Sequence, residues 1–304
     1  FLILVALFAW GCTAPKPADE GGPTKAMTRK APVPEVEKKP ERMKAPDAVR
    51  GVYLTAWSAG STRKMAKVHA LLEKSEANAV VIDLRDAGHI YVKTESALAN
   101  ESGAVSRAIR DLPALVKGLI DKGIYPIARI ACFRDVFVPK KRPDRAVQLA
   151  GGKVWKDRAG YAWLDPYNRA NWDYIGETVQ LALDAGFPEV QLDYVRFPSE
   201  GKVSTMVFPS RKTYPDPKAI PTEVVREFSR TMRDKCHAAG AIISADIFGI
   251  VSSGKGDQGI GQELEIVAEP FDVLSPMVYP SHFAKGEYGV TNPDASPYAI
   301  VKKS

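Results

Sequence analysis

From Arg50 onward the chain alternates short, β-branched apolar runs with longer stretches of helical period, and this alternation constrains the fold more than any other feature. The runs at 52–57, 79–84, 124–130, 189–195, 242–247 and 271–279 read as strands. Between them, helical patterns lie near 62–75, 112–122, 171–185, 222–239 and 263–268. Gly123, Gly186 with Pro188, and Gly240 supply stop signals. The 79–84 run is apolar on both faces, as a parallel sheet covered by helices requires. Pro126 inside the 124–130 run suits an edge strand, because proline cannot donate to the ladder. The pattern predicts an α/β fold with a parallel sheet.

Such a sheet closes either as a doubly wound open layer or as a barrel. The first strand is followed by Ser58-Ala59-Gly60-Ser61, which lacks the glycine fingerprint of a dinucleotide-binding turn. Polar or aromatic residues recur instead at strand C-termini: Trp57, Asp83 with Arg85 and Asp86, Arg129, Asp193 with Arg196, Asp246, and Tyr279 with His282. In a (β/α)8 TIM-type barrel those ends face one another around the active site. About six βα units are countable where a closed barrel has eight, so the sequence predicts an incomplete barrel over residues 50–304.

The first twelve residues, Phe1 to Cys12, form an apolar run ending in glycine and cysteine. The run is too short for a membrane-spanning helix, which needs about 20 residues, and fits the apolar core of a secretory signal. It resembles a bacterial lipoprotein signal, which implies lipidation at Cys12, export and a membrane-anchored protein at the periplasm or cell surface. Residues 13–49 carry seven prolines among mixed charges and almost no large apolar residue, which predicts a disordered tether. The formal charge is +6, and residues 1–50 supply half of it with nine Lys/Arg against six Asp/Glu. The basic balance therefore says little about the folded body. Export and the lack of a basic patch interleaved with aromatics argue against nucleic acid as a partner.

Cleavage of a glycosidic bond needs two carboxyl groups flanking the anomeric carbon. Asp193 and Asp246 fit, each after an apolar run at a strand end, with Tyr194 and Phe248 close behind. An Asp193 merely paired with Arg196 or Arg129 in the barrel mouth, and an Asp246 serving as a helix cap or salt bridge, are the structural readings of the same residues. The group Asp83, Arg85 and Asp86 holds sugar hydroxyls, orients Asp193, or is a solvated or internally paired charge group. Trp57 and Tyr279 are candidates for the pocket floor. Trp155, Tyr161, Trp163 and Tyr167 in the long third loop either stack on sugars or pack the loop. His282 is a candidate for substrate contact. No two of the four histidines stand at ligand spacing, so the sequence calls for no metal and no cofactor.

The runs Gly51-Val52-Tyr53-Leu54-Thr55, Val81-Ile82-Asp83-Leu84-Arg85-Asp86, Trp163-Leu164-Asp165-Pro166-Tyr167-Asn168, Gln191 to Pro198 and Ser275-Pro276-Met277-Val278-Tyr279-Pro280 resemble the putative glycosyl hydrolase family of bacterial TIM-barrel lipoproteins. That family is similar to the α-amylase and α-galactosidase barrels, whose fourth strand ends in a nucleophilic aspartate. The resemblance implies that Asp193 is the nucleophile, while Asp246 matches the general position of an acid/base on the following strand. It implies a glycoside hydrolase acting on an envelope polysaccharide or exopolysaccharide, and Asp83, Arg85, Asp86, Arg129, Tyr194 and Arg196, near Asp193 at the strand ends, are the expected surroundings of its substrate. The alternative from another class is a non-catalytic envelope lipoprotein that binds glycan at the same mouth. A metal-dependent hydrolase, with the ion near Asp83 or Asp193, is the third reading.

Overall fold

The computed structural model describes residues 42–304. The segment 1–12 with Cys12, and the tether as far as residue 41, lie outside the described residues. The sheet contains β1 (Gly51–Leu54), β2 (Ala79–Asp86), β3 (His89–Ile90), β4 (Tyr125–Ala131), β5 (Glu189–Asp193), β6 (Ile242–Phe248) and β7 (Val273–Met277). β3 folds back antiparallel on the end of β2. The other six pair in parallel in the order β1-β2-β4-β5-β6-β7. The order never reverses, so the sheet has no switch point of the doubly wound kind. It is an incomplete TIM-type β/α barrel, open between β1 and β7 among the described residues.

Local chemistry explains the connections. Ser61, Asp111 and Asn168 each accept a backbone N–H at the start of the helices Thr62–Leu72, Leu112–Ile120 and Arg169–Asp184. Gly186 and Gly240, at φ 93° and 72°, turn the chain out of the helices Arg169–Asp184 and Pro221–Ala238 toward β5 and β6. One alternating set of strand residues, including Ile82, Leu84, Ile130, Val190, Leu192, Ile243 and Ile247, is buried in the helix-facing core with Trp172, Ile175, Val179, Phe228 and Met232. The opposite set faces the barrel interior and carries Asp83, Arg129, Glu189, Asp193, Ser244 and Asp246.

Three expectations change. Pro126 sits in a central strand, because its missing donor points toward β5 one step before that ladder begins. Tyr125 N–H bonds to Asn78 on the β2 side, whereas pairing with β5 starts at Ile127. Trp57 is not at a strand end. Thr55 caps a helical turn, Ala56–Ala59, accepting from Ser58 N–H, so β1 stops at Leu54 and Trp57 lies 60% exposed. Residues 42–49, at the end of the expected tether, are in contact with the barrel. Arg42 donates to the carbonyls of Ala239, Phe187 and Leu183 at 2.7, 2.5 and 2.9 Å, and Met43, like Val81, packs on the cluster of Ala79, Tyr125 and Ile127.

Candidate active site

Arg129, projecting inward from β4, organises the lumen. Its Nη2 and Nε donate to Asp193 Oδ2 at 2.5 and 3.1 Å, and its Nη1 donates to Asp83 Oδ1 at 2.6 Å. Nη1 also stands 3.6 Å from Asp86, and Nε stands 3.9 Å from Asp246 Oδ2. Tyr53, from β1, donates its hydroxyl to the second oxygen of Asp83. Burial opposes the charge on Arg129, but the Asp193 and Asp83 carboxylates outweigh it and raise its pKa. Burial raises the Asp83 pKa against the pull of Arg129 and Tyr53. Both Asp83 oxygens are thus occupied, and of the roles open to it in sequence, orienting Asp193 through Arg129 is the one its contacts fit.

Asp193 closes β5, and the chain then makes a sharp turn. Tyr194 adopts φ 51°, a left-handed conformation that a bulky residue rarely takes, and its N–H donates to Asp193 Oδ1 at 2.6 Å. The turn fixes the carboxylate between a backbone donor and Arg129. It also slides the Tyr194 ring beneath Arg134, whose guanidinium lies 3.8 Å from the ring centre and 3.4 Å from Asp86.

Asp246 sits on the neighbouring strand with no hydrogen-bond partner among the described residues. Burial, then the nearby Asp193 charge, push its carboxyl up to about 8, with Arg129 pulling the other way. The distances from Arg129 Nε place the Asp193 and Asp246 Oδ2 atoms about 7 Å apart at most. That limit admits the spacing of about 5–5.5 Å typical of retaining glycosidases and only the lower part of the inverting range of about 6.5–9.5 Å.

A cavity of about 470 Å³ opens beside Asp193, lined by Asp193, Tyr194, Arg196, Ser199 and Glu200 together with Phe248, Met277 and His282, while Asp246 lies behind this lining. Arg196 is buried and makes no contact with Asp193 within ion-pair distance. Its guanidinium stacks 4.2 Å from the Phe248 ring centre and 5.0 Å from that of Trp163.

The sequence-predicted residues thus divide. Asp83, Asp86, Arg129, Tyr194, Asp193 and Asp246 form one cluster, and Arg196 and His282 line the adjoining cavity. Arg85 belongs to neither, and its assignment to substrate is corrected. It is wholly buried, paired with Asp135 at 2.6 Å and hydrogen-bonded to Cys132 O at 2.6 Å and to Ala131 O. Trp57 lines a separate depression with Thr62 and Arg107. Tyr279 is beyond the end of β7, exposed, with its ring 5.2 Å from that of His282. Trp155, Trp163 and Tyr167 are buried loop packing. Sequence reasoning missed Tyr53, Arg134, Ser199 and Glu200. Among the described residues, no group of three or more His, Cys, Asp or Glu is arranged to hold a metal ion, and no helix is long and apolar enough to cross a membrane.

Comparison with known proteins places these features. A hypothetical protein from Ruminiclostridium thermocellum ATCC 27405 is similar at 31% identity and TM-score 0.57, covering 64% of this chain and 96% of that one. The PgaB (BpsB) glycoside hydrolase domain from Bordetella bronchiseptica is similar in fold at TM-score 0.60 and 12% identity, covering 84% of this chain and 79% of its own. The GH20 exo-β-N-acetylglucosaminidase from Vibrio harveyi follows at TM-score 0.51 and 15% identity, over 76% of this chain and 42% of that one. Among curated proteins none matches the chain. Residues 51–304 match the family described as putative glycosyl hydrolase domain, and the chain belongs to that family.

Proposed function

We propose that the chain is a glycoside hydrolase that cleaves a polysaccharide of the cell envelope or an exopolysaccharide, with Asp193 as nucleophile and Asp246 as acid/base. The observation that carries this reading is the opposite setting of two adjacent carboxyls. Three donors converge on the Asp193 carboxylate, whereas Asp246 has none and holds its proton up to about pH 8. A carboxyl that keeps its proton beside a carboxylate held by hydrogen bonds is the setting of an acid and a nucleophile.

In the first step an Asp193 oxygen attacks the anomeric carbon as the glycosidic C–O bond breaks, and Asp246 passes its proton to the departing oxygen. In the second, the Asp246 carboxylate takes a proton from water, whose oxygen displaces Asp193 from the anomeric carbon. Arg129 keeps Asp193 in place through both steps. A sugar bound for this reaction would sit in the cavity of about 470 Å³ that Asp193 lines. The run ending at Cys12 supports an exported, lipid-anchored placement, which would bring envelope glycans within reach.

Reducing-end release from a panel of envelope and exopolysaccharides tests this reading. The wild type should release sugar ends from at least one of them with retention of anomeric configuration, and Asp193→Asn should bind that glycan but not cut it. A wild type that binds a glycan yet releases no ends from any member supports the non-catalytic alternative instead.

A further inference from the structure

We propose that the glycan recognised by this chain is a polyanion. Arg196 would read one oxyanion beside Asp193, and a groove of Lys153, Lys156, Arg158 and Lys202 would hold the charged sugars beyond it. The inference rests on the hydrolase reading of the same cavity and names its substrate class.

Arg196 is only 4% exposed, yet among the described residues it forms no ion pair. Its Nη1 donates to Phe197 O and Ser199 Oγ, both at 3.1 Å, while Nε and Nη2 have no acceptor among the described residues. A buried cation without a counter-charge is costly, and the aromatic faces of Phe248, Trp163 and Tyr194 offset only part of that cost. Burial lowers its pKa only to about 10, so it remains charged at neutral pH. The carboxyls nearby do not answer it. Asp193 is matched by Arg129, Asp246 holds its proton, and Glu200 is exposed at the rim. Two adjacent unused nitrogens, Nε and Nη2, form one edge of a planar fork, the geometry that a carboxylate or sulfate ester accepts.

The second observation is independent. Lys153, Lys156, Arg158 and Lys202 line a groove of about 510 Å³ floored by Trp155. All four cations are exposed, and none forms an ion pair among the described residues. The one carboxylate in the groove, Asp157, is engaged by Trp163 Nε1 at 3.0 Å and Tyr161 N–H at 2.9 Å. Ser199 and Glu200 line the Asp193 cavity, and the next two residues, Gly201 and Lys202, line the groove, so one short segment walls both.

The test measures binding of the folded chain to polygalacturonate, dextran sulfate, carboxyl-reduced polygalacturonate and dextran. At least one charged polymer should bind about tenfold or more tighter than its neutral counterpart and lose that advantage between about 50 and 500 mM NaCl. The favoured polymer identifies carboxylate or sulfate as the oxyanion. Changing Lys153, Lys156, Arg158 and Lys202 together to Gln should weaken binding about tenfold. The same change at Arg63, Lys64, Lys67 and Lys74, which removes equal charge elsewhere, should leave it within about twofold. Arg196→Gln should weaken it further. Equal binding of neutral polymers, or equal loss in the two fourfold variants, overturns the inference. A neutral glycan cut in an Asp193-dependent way with no polyanion bound also overturns it while leaving the hydrolase reading intact. A polyanion bound specifically but never cut leaves the inference standing and defeats the hydrolase reading.

Discussion

Arg129 donates two hydrogen bonds to a single oxygen of Asp193 and, through its remaining nitrogen, a third to Asp83. This bridge joins the three neighbouring strands β2, β4 and β5. Removing it leaves buried carboxylates without a counter-charge, which costs about 3–5 kcal/mol. Arg129→Gln should therefore lower stability by about that amount in denaturant unfolding and abolish turnover. Arg129→Lys, which keeps the charge but loses the fork, should be less destabilised and still catalytically poor.

The raised Asp246 pKa has a consequence for stability with a defined sign. The folded state holds a proton up to about pH 8, whereas the unfolded chain releases it near the ordinary carboxyl value of 3.8. The contribution is thus fully present below about pH 4 and is lost progressively as pH rises to about 8. Asp246→Asn carries no such proton, so its melting temperature should gain on the wild type across that window and keep a constant lead above it. A difference that stays flat from pH 4 to 8 would show that Asp246 titrates normally.

Arg85 and Asp135 form a wholly buried pair whose oxygens and nitrogens are also bonded to backbone. Asp135→Ala should cost about 3–5 kcal/mol in stability. At a temperature where the variant remains folded, its kcat/KM should stay close to that of the wild type. A selective fall in kcat without loss of stability would return Arg85 to the site.

Arg42 binds three backbone carbonyls at and just beyond the C-termini of the helices Arg169–Asp184 and Pro221–Ala238, where a cation is favoured. Arg42→Ala should lower stability by about 1.5–3 kcal/mol, the range for hydrogen bonds from a charged donor. Urea unfolding of the variant checks this, and an unchanged midpoint would detach residues 42–49 from the fold.

The strand-and-helix rhythm made the parallel sheet legible, and the polar residues that follow its apolar runs marked Arg129, Asp193 and Asp246 as strand-end residues of one barrel mouth. What escaped the sequence did so for identifiable reasons. Asp83 and Arg85 are two apart and should share a face, but a register shift between them in the β2–β4 ladder turns Arg85 into the helix layer. Trp57 lies two residues after Thr55, which reads as strand and acts as a cap. Tyr53 has no local mark of its partnership with Asp83, and the cage that Phe248 and Trp163 build around Arg196 joins separate βα units.

The pH dependence of kcat/KM for reducing-end release, compared between wild type and Asp246→Asn, tests the two-carboxylate account most directly. The account predicts that wild-type activity falls above about pH 8, and that the variant is at least about 100-fold slower with no alkaline limb near that value. A variant within about tenfold of the wild type, or one that keeps the same alkaline limb, would contradict it.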